Sequence, residues 1–156
     1  MSRARIAVLV SGGGTNLEAL LAAQETGKIP HGEITLVLSS SAGAYALERA
    51  KNHGVPGFAV PRKGRSQEDF ETGLTEKLTE YRVDMIVLAG FLSILSEDFV
   101  RRWPDRILNV HPSLIPAFCG KGCYGLKVHE EALRRGVKVT GATVHLVNEI
   151  PDGGRI

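Results

Sequence analysis

Ile6-Ala7-Val8-Leu9-Val10-Ser11-Gly12-Gly13-Gly14-Thr15-Asn16-Leu17 decides the fold class. Five consecutive apolar residues suit a parallel strand that is covered on both faces, because an edge or half-exposed strand would alternate with polar residues. Three glycines then break the chain. From Asn16 to Thr26, Leu17, Leu20 and Leu21 fall on one helical face, and Gly27 supplies the stop signal. A strand, a glycine turn and a helix in this order open a βαβ unit.

The pattern continues along the chain. Strands are expected at Ile34–Leu38, Phe58–Val60, Met85–Ala89, Arg106–Val110 and Thr140–Val147, with Met85–Ala89 as the most buried of them. Helices are expected at Ala42–His53, Gln67–Tyr81, Ser96–Arg102 and Leu126–Arg135, the second carrying Phe70, Leu74 and Leu78 at four-residue spacing. The alternation predicts an α/β protein with a single open, mostly parallel twisted sheet and helices on both faces. In such sheets ligands bind beyond the carboxyl ends of the strands. The loops Ser11–Asn16, Gly90–Leu95 and Asn109–Pro116 follow three of those ends.

At 156 residues, 43% of them hydrophobic and 23% charged, the chain fits one globular domain, 1–156, and neither a coiled coil nor a disordered segment. A net charge of +2 is too small to point to nucleic acid. Ile6–Val10 is far short of the ~20 apolar residues that span a bilayer and short for a secretion signal, so a cytoplasmic protein is expected. Cys119 and Cys123 make no disulfide framework. A zinc site drawn from these two with His111 and His129 is disfavoured, because no paired-histidine motif accompanies them, and no metal is expected. Glycine is over-used, at 18 residues, which points to sites built from backbone groups.

The loop Ser11–Asn16 lacks the Gly-Lys-Ser/Thr of a Walker A motif. It also lacks the last glycine of a dinucleotide loop, since Leu17 stands there, and Ser39-Ser40-Ser41 replaces the acidic residue expected after the second strand. A monophosphate on the loop amides and the helix N-terminus fits better. A plain tight turn with Thr15 or Asn16 as helix cap is the competing reading. Farther on, Arg106-Ile107-Leu108-Asn109-Val110-His111-Pro112-Ser113-Leu114-Ile115-Pro116 places Asn109 and His111 on the same side of a strand. An amide that cannot ionise beside an imidazole suits stabilising an oxyanion while a proton moves between two amines. A satisfied core histidine and a turn asparagine are the alternative. Asp152, in the turn-rich Asn148–Gly154, would orient and charge the histidine.

Taken together, Ser-Gly-Gly-Gly-Thr-Asn at 11–16, Leu-Ala-Gly-Phe-Leu-Ser-Ile-Leu at 88–95, Asn-Val-His-Pro-Ser-Leu-Ile-Pro at 109–116 and Asp-Gly-Gly at 152–154 resemble the phosphoribosylglycinamide formyltransferases, within the folate-dependent formyltransferases and their Rossmann-like fold. The resemblance runs over essentially the whole chain. It implies a transferase of purine biosynthesis that carries formyl from 10-formyltetrahydrofolate, as co-substrate, to the amine of 5′-phosphoribosylglycinamide. These two small molecules are the partners it implies, for a monomer or homodimer. The Asn-x-His-Pro-Ser-Leu-x-Pro motif is shared across the folate group and carries only the reaction class. Gly13, Gly14, Thr15 and Asn16 match the loop that holds the ribotide phosphate. Leu92, Ser93, Ile94 and Leu95 match the segment lining the folate pocket, to which Asn109 also belongs. Asn109 and His111 match the catalytic pair, with Asp152 as the acid that charges the histidine. His129 and His145 fall at positions where relatives carry histidine.

Two positions depart from the pattern. Relatives carry a folate-contacting Arg where Gln67 stands, so Arg65 or Arg62 is expected to substitute. The loop Ala117–Tyr124 differs in length from that of many relatives, and its Lys121 would reach either the phosphate or the folate tail. Relatives also continue beyond Asp152 with a further strand and helix, which this sequence is expected to lack. The alternatives are a formyltetrahydrofolate hydrolase (deformylase), which normally has an extra N-terminal domain, and a non-catalytic phosphate- or nucleotide-binding module. Methionyl-tRNA formyltransferase would need an RNA-binding domain and a stronger basic face.

Overall fold

The structure is a computed structural model that describes residues 2–156. The chain divides into two compact units, one ending at Ser96 and the other running from Glu97 to Ile156.

The first unit is a parallel βα assembly. It contains β1 (Ala4–Val10), α1 (Thr15–Glu25), β2 (Gly32–Ser39), α2 (Ala46–Asn52), β3 (Gly57–Ala59), α3 (Gln67–Glu80) and β4 (Met85–Leu88). The strands lie in the order β3-β2-β1-β4, and every pairing is parallel. Val8 pairs with Val37 on one side and Val87 on the other, which makes β1 the centre of this unit's sheet. Ala7, Val8, Leu9 and Val10 are all fully buried, so both faces of β1 are covered, as its unbroken apolar run requires. Val8 and Val10 pack with Leu17 and Leu21 of α1 and with Ala46 and Ala50 of α2. The small alanines let α2 approach closely. On α3, Phe70, Leu74 and Leu78 form the buried stripe, and the Ser66 hydroxyl caps the helix by accepting from the Asp69 amide at 3.0 Å.

The structure corrects three expectations here. The most buried strand is β2, with six of its eight residues buried; β4 is only four residues long, with Met85 and Val87 half-buried. Helix α2 starts at Ala46 instead of Ala42, because the Ala46 amide, which a helix from Ala42 would pair with the Ala42 carbonyl, donates to the Gly12 carbonyl at 3.1 Å. Neither Thr15 nor Asn16 caps α1. The N-cap is Gly14, in the left-handed region at φ 73°, and no side chain caps the first turn.

The second unit holds α4 (Glu97–Arg101), β5 (Ile107–His111), α5 (Leu126–Arg135) and β6 (Thr143–Leu146). β5 and β6 are antiparallel, with Asn109 opposite His145 and His111 opposite Thr143. The last strand is four residues long, shorter than Thr140–Val147, because Gly141 leaves the ladder and abuts the Leu114 side chain. The fully buried Ser113 fixes the start of the long loop after β5. Its hydroxyl donates to the Ala117 carbonyl at 2.5 Å, while the Thr143 hydroxyl donates to the Ser113 carbonyl at 2.6 Å and accepts from the Ile115 amide. Among the described residues, no helix is long and apolar enough to cross a membrane.

Candidate active site

The predicted site residues fall into both units, and each set is built locally. In the first unit, the glycine loop follows the carboxyl end of β1. Gly12 and Gly13 are exposed, and a Cβ on either would meet nothing within 4 Å. The first amides of a helix have no intrahelical partner. Those of α1, starting from Gly14, Thr15 and Asn16, also lack a side-chain cap, so this end of the helix presents donors and partial positive charge.

Ser11 ties this loop to the one after β4. Its hydroxyl accepts from the Leu92 amide at 2.9 Å and shares a 2.6 Å hydrogen bond with the Ser40 hydroxyl. In the second loop Leu92 and Ile94 are exposed at 63% and 79%, while Ser93 and Leu95 are half-buried. Exposed apolar side chains on a tethered backbone suit a flat, partly apolar ligand. The α3 helix braces this segment. Gln67 donates to the Ile94 carbonyl at 2.9 Å, and Glu71 accepts from both the amide and the hydroxyl of Ser96 at 2.6 Å. Gln67, noted from the sequence as the replacement of a folate-contacting Arg, therefore supports the loop from its backbone side. Arg62 donates to the Gln67 side chain and to the Arg65 carbonyl, and Arg65 itself is exposed.

In the second unit Asn109, His111 and Asp152 come together. His111 is 4% exposed, and its Nδ1 lies 3.5 Å from Asp152 Oδ1. Its Nε2 donates to the Phe118 carbonyl at 2.8 Å. The other oxygen of Asp152 accepts from the Gly120 amide at 2.6 Å, so one carboxylate joins the β5 histidine to the loop that follows it. Asp152 is held at φ 53°, a left-handed conformation that non-glycine residues adopt infrequently. Nearby, Glu149 titrates below the usual carboxylate range, through its own backbone amide and then through Arg101.

His145 was assigned no chemical role from the sequence, yet it fixes Asn109. Its Nδ1 donates to the Gly153 carbonyl at 2.8 Å, which leaves Nε2 as an acceptor for the Asn109 Nδ2 amide at 3.1 Å. That bond sets which way the Asn109 amide faces. At 2% exposure His145 has no room to turn. Its alternation with Thr143 on a short strand, and its match to a position where relatives carry histidine, were the sequence signals for it. Lys121 and His129 are exposed, and among the described residues no group of three His, Cys, Asp or Glu side chains is arranged to hold a metal. A cavity along α2 is lined by none of the predicted site residues.

Comparison with known proteins gives the family and the fold. The formyl transferase family model matches residues 4–156. The chain belongs to the formyl transferase family. Among curated formyl transferases, the chloroplastic phosphoribosylglycinamide formyltransferase of Arabidopsis thaliana is 38% identical over 99% of this chain and 53% of its own length. Phosphoribosylglycinamide formyltransferase of Haemophilus influenzae is 41% identical over 97% of this chain and 69% of its own. The solved glycinamide ribonucleotide transformylase 1 of Symbiobacterium toebii superposes with a TM-score of 0.87 at 42% identity, covering 96% of this chain and 68% of that one. This likeness bears out the α/β formyltransferase fold expected from the sequence. The chain spans about half the length of the Arabidopsis protein, and less of the trifunctional purine biosynthetic proteins it also matches.

Proposed function

We propose that this formyl transferase moves the formyl group of 10-formyltetrahydrofolate to the amine of 5′-phosphoribosylglycinamide, a step of de novo purine biosynthesis. The observation that carries the reading is the Asp152 carboxylate, which faces His111 Nδ1 at 3.5 Å and holds the Gly120 amide with its second oxygen. A buried histidine kept between a carboxylate and a carbonyl is more than a satisfied core residue, because its second acceptor sits in a loop able to yield it. The names and close identities of the relatives support the substrate pair.

Each residue then has a task. The Gly13–Asn16 loop takes the ribotide phosphate on backbone amides. Leu92–Leu95 offers apolar side chains and backbone to the pterin of the folate. As the acceptor amine attacks the formyl carbon, a C–N bond forms and negative charge grows on the formyl oxygen. Asn109 Nδ2 and His111 Nε2 donate to that oxygen, His111 by exchanging the Phe118 carbonyl for it. The C–N bond to the folate then breaks, and the proton lost by the attacking amine goes to the departing folate nitrogen. Asp152 holds the His111 ring from its Nδ1 side through the step and orders the water that relays this proton.

The test is a formyl-transfer assay with both substrates, repeated on His111→Ala. Ribotide-dependent transfer, with turnover about 10²–10³-fold lower in the variant, is the expected result. Formate release without the ribotide would favour a hydrolase, and binding of either ligand without transfer would favour a non-catalytic module.

A further inference from the structure

The glycine loop is not held by its own turn alone. Two successive carbonyls point toward α2: Gly12 accepts from the Ala46 amide at 3.1 Å, and Gly13 accepts from Arg49 Nε at 2.8 Å. In a trans peptide the N–H points opposite to the C=O across the same plane. Fixing the Gly12 carbonyl therefore aims the Gly13 N–H away from α2, and fixing the Gly13 carbonyl aims the Gly14 N–H the same way. An anion on this loop needs those donors turned outward and those carbonyls turned back, since a carbonyl oxygen facing a phosphate repels it.

Arg49 is itself braced. Its Nη1 donates to Glu18 Oε2 at 3.2 Å, and its guanidinium lies 5.0 Å from the centre of the Tyr45 ring. The second oxygen of Glu18 meets His53 Nε2 at 2.9 Å, while His53 Nδ1 meets Glu25 Oε1 at 2.6 Å. His53 thus bridges two carboxylates of α1 from the end of α2. The Glu18 carboxylate, then Glu25, raises the His53 pKa, and His53, then Arg49, lowers that of Glu18. Every member of the network lies in the first unit.

We infer that Arg49 is a positioning residue for phosphate recognition: by holding the Gly13 carbonyl against α2, braced by Glu18 and His53, it aims the Gly14 amide at the substrate phosphate. The inference rests on the glycine loop being the phosphate site proposed above. Arg49 touches no substrate. Its side chain works through a planar fork that reaches a carbonyl and a carboxylate at once, which a lysine ammonium does not reproduce.

The test compares wild type, Arg49→Met, Arg49→Lys and His53→Gln, using 5′-phosphoribosylglycinamide and the same glycinamide riboside without phosphate as acceptors. Inorganic phosphate is titrated separately while the Gly14 amide resonance is followed by NMR. A hydrogen bond to a charged group corresponds to about 10–100-fold in affinity. Arg49→Met is expected to raise KM for the ribotide by about that factor, leave kcat within about twofold, and leave KM for the riboside unchanged. Arg49→Lys fails to rescue. His53→Gln, which does not touch the loop, gives a smaller rise in the same KM and keeps the test open should Arg49→Met fold poorly. In wild type, phosphate shifts the Gly14 amide; in Arg49→Met it does not. Equal losses with ribotide and riboside, or a fall in kcat alone, would make Arg49 merely structural and overturn the inference. A wild type whose Gly14 amide ignores phosphate and which uses both acceptors equally would overturn the phosphate reading itself.

Discussion

Replacing Gly14 by alanine separates the geometry of the glycine loop from its chemistry. Gly14 sits at φ 73°, and a Cβ there would lie 2.6 Å from Ala46 Cβ and 2.9 Å from Ala46 Cα. A left-handed conformation costs an L-residue about 1–2 kcal/mol. Forcing a methyl into a packed contact costs about 1–3 kcal/mol more. Against this, alanine stiffens the unfolded chain by about 0.4–1 kcal/mol. The net is a loss of about 1–5 kcal/mol, large against a typical total of about 5–15. For a domain of this length it lowers Tm by roughly 2–20 °C. Gly13→Ala is the control: it has open space and no left-handed φ, so its stability should stay within about 0.5 kcal/mol of wild type. Urea unfolding followed by circular dichroism measures both. Gly14→Asn, a residue that tolerates the left-handed region, should recover the conformational part but not the contact with Ala46. Pairing Gly14→Ala with Ala46→Gly should recover part of the contact. Equal stability of the Gly13 and Gly14 alanine variants would refute the reasoning, because it would mean that α2 does not press on the loop.

Other expectations follow from the same contacts. Asp152→Asn should lower kcat by about 10²–10⁴-fold with little change in either KM; near-normal turnover would remove Asp152 from the mechanism. His145→Phe leaves the Asn109 amide unoriented and should reduce kcat by up to about 10²-fold, with Asn109→Ala adding little in the double variant. Leu74→Ala, at a fully buried position of α3, should cost about 2–5 kcal/mol in urea unfolding. The His53–Glu18 pair makes stability depend on pH at both ends. The His53 contribution is complete below its ordinary 6.5 and is lost as pH rises through its raised folded value. That of Glu18 is complete above 4.5 and is lost as pH falls through its lowered one. The stability difference between wild type and His53→Gln should therefore shrink on the alkaline side, and a difference constant from about pH 5 to 9 would contradict the pairing.

The first strand, the glycine loop and α1 were legible because each obeys a short-range rule: an unbroken apolar run, a break, a 3.6-residue stripe. The Asn109–His111–Asp152 set was legible through motif resemblance, and only its geometry was missing. What the sequence hid was of another kind. The start of α2 at Ala46 depends on the Ala46 amide pairing with the distant Gly12 carbonyl in place of the Ala42 one. Gly14, and neither of the polar residues beside it, became the N-cap because α2 packs too closely for a Cβ there. The Phe118 carbonyl on His111 and the Gly120 amide on Asp152 are backbone groups, identical in every residue and so invisible in a pattern of side chains. His145 fixes Asn109 across an antiparallel pair whose direction no single-strand pattern encodes.

The parallel order of the first unit has a consequence for how the chain is made. Ile6 of β1 pairs with Met85 of β4, 79 residues later, whereas its other neighbour, Ile34, arrives early. At about 5–20 residues per second, one edge of this largely apolar strand waits roughly 4–16 s on the ribosome before its partner emerges. Through that interval β1 has a row of unpaired backbone groups and a fully hydrophobic side-chain run, the combination most prone to pairing with the wrong chain. The central position that protects β1 in the finished molecule is what leaves it exposed longest during synthesis. Slowed translation between β2 and β4 should therefore reduce soluble yield more than the same delay placed after Leu88.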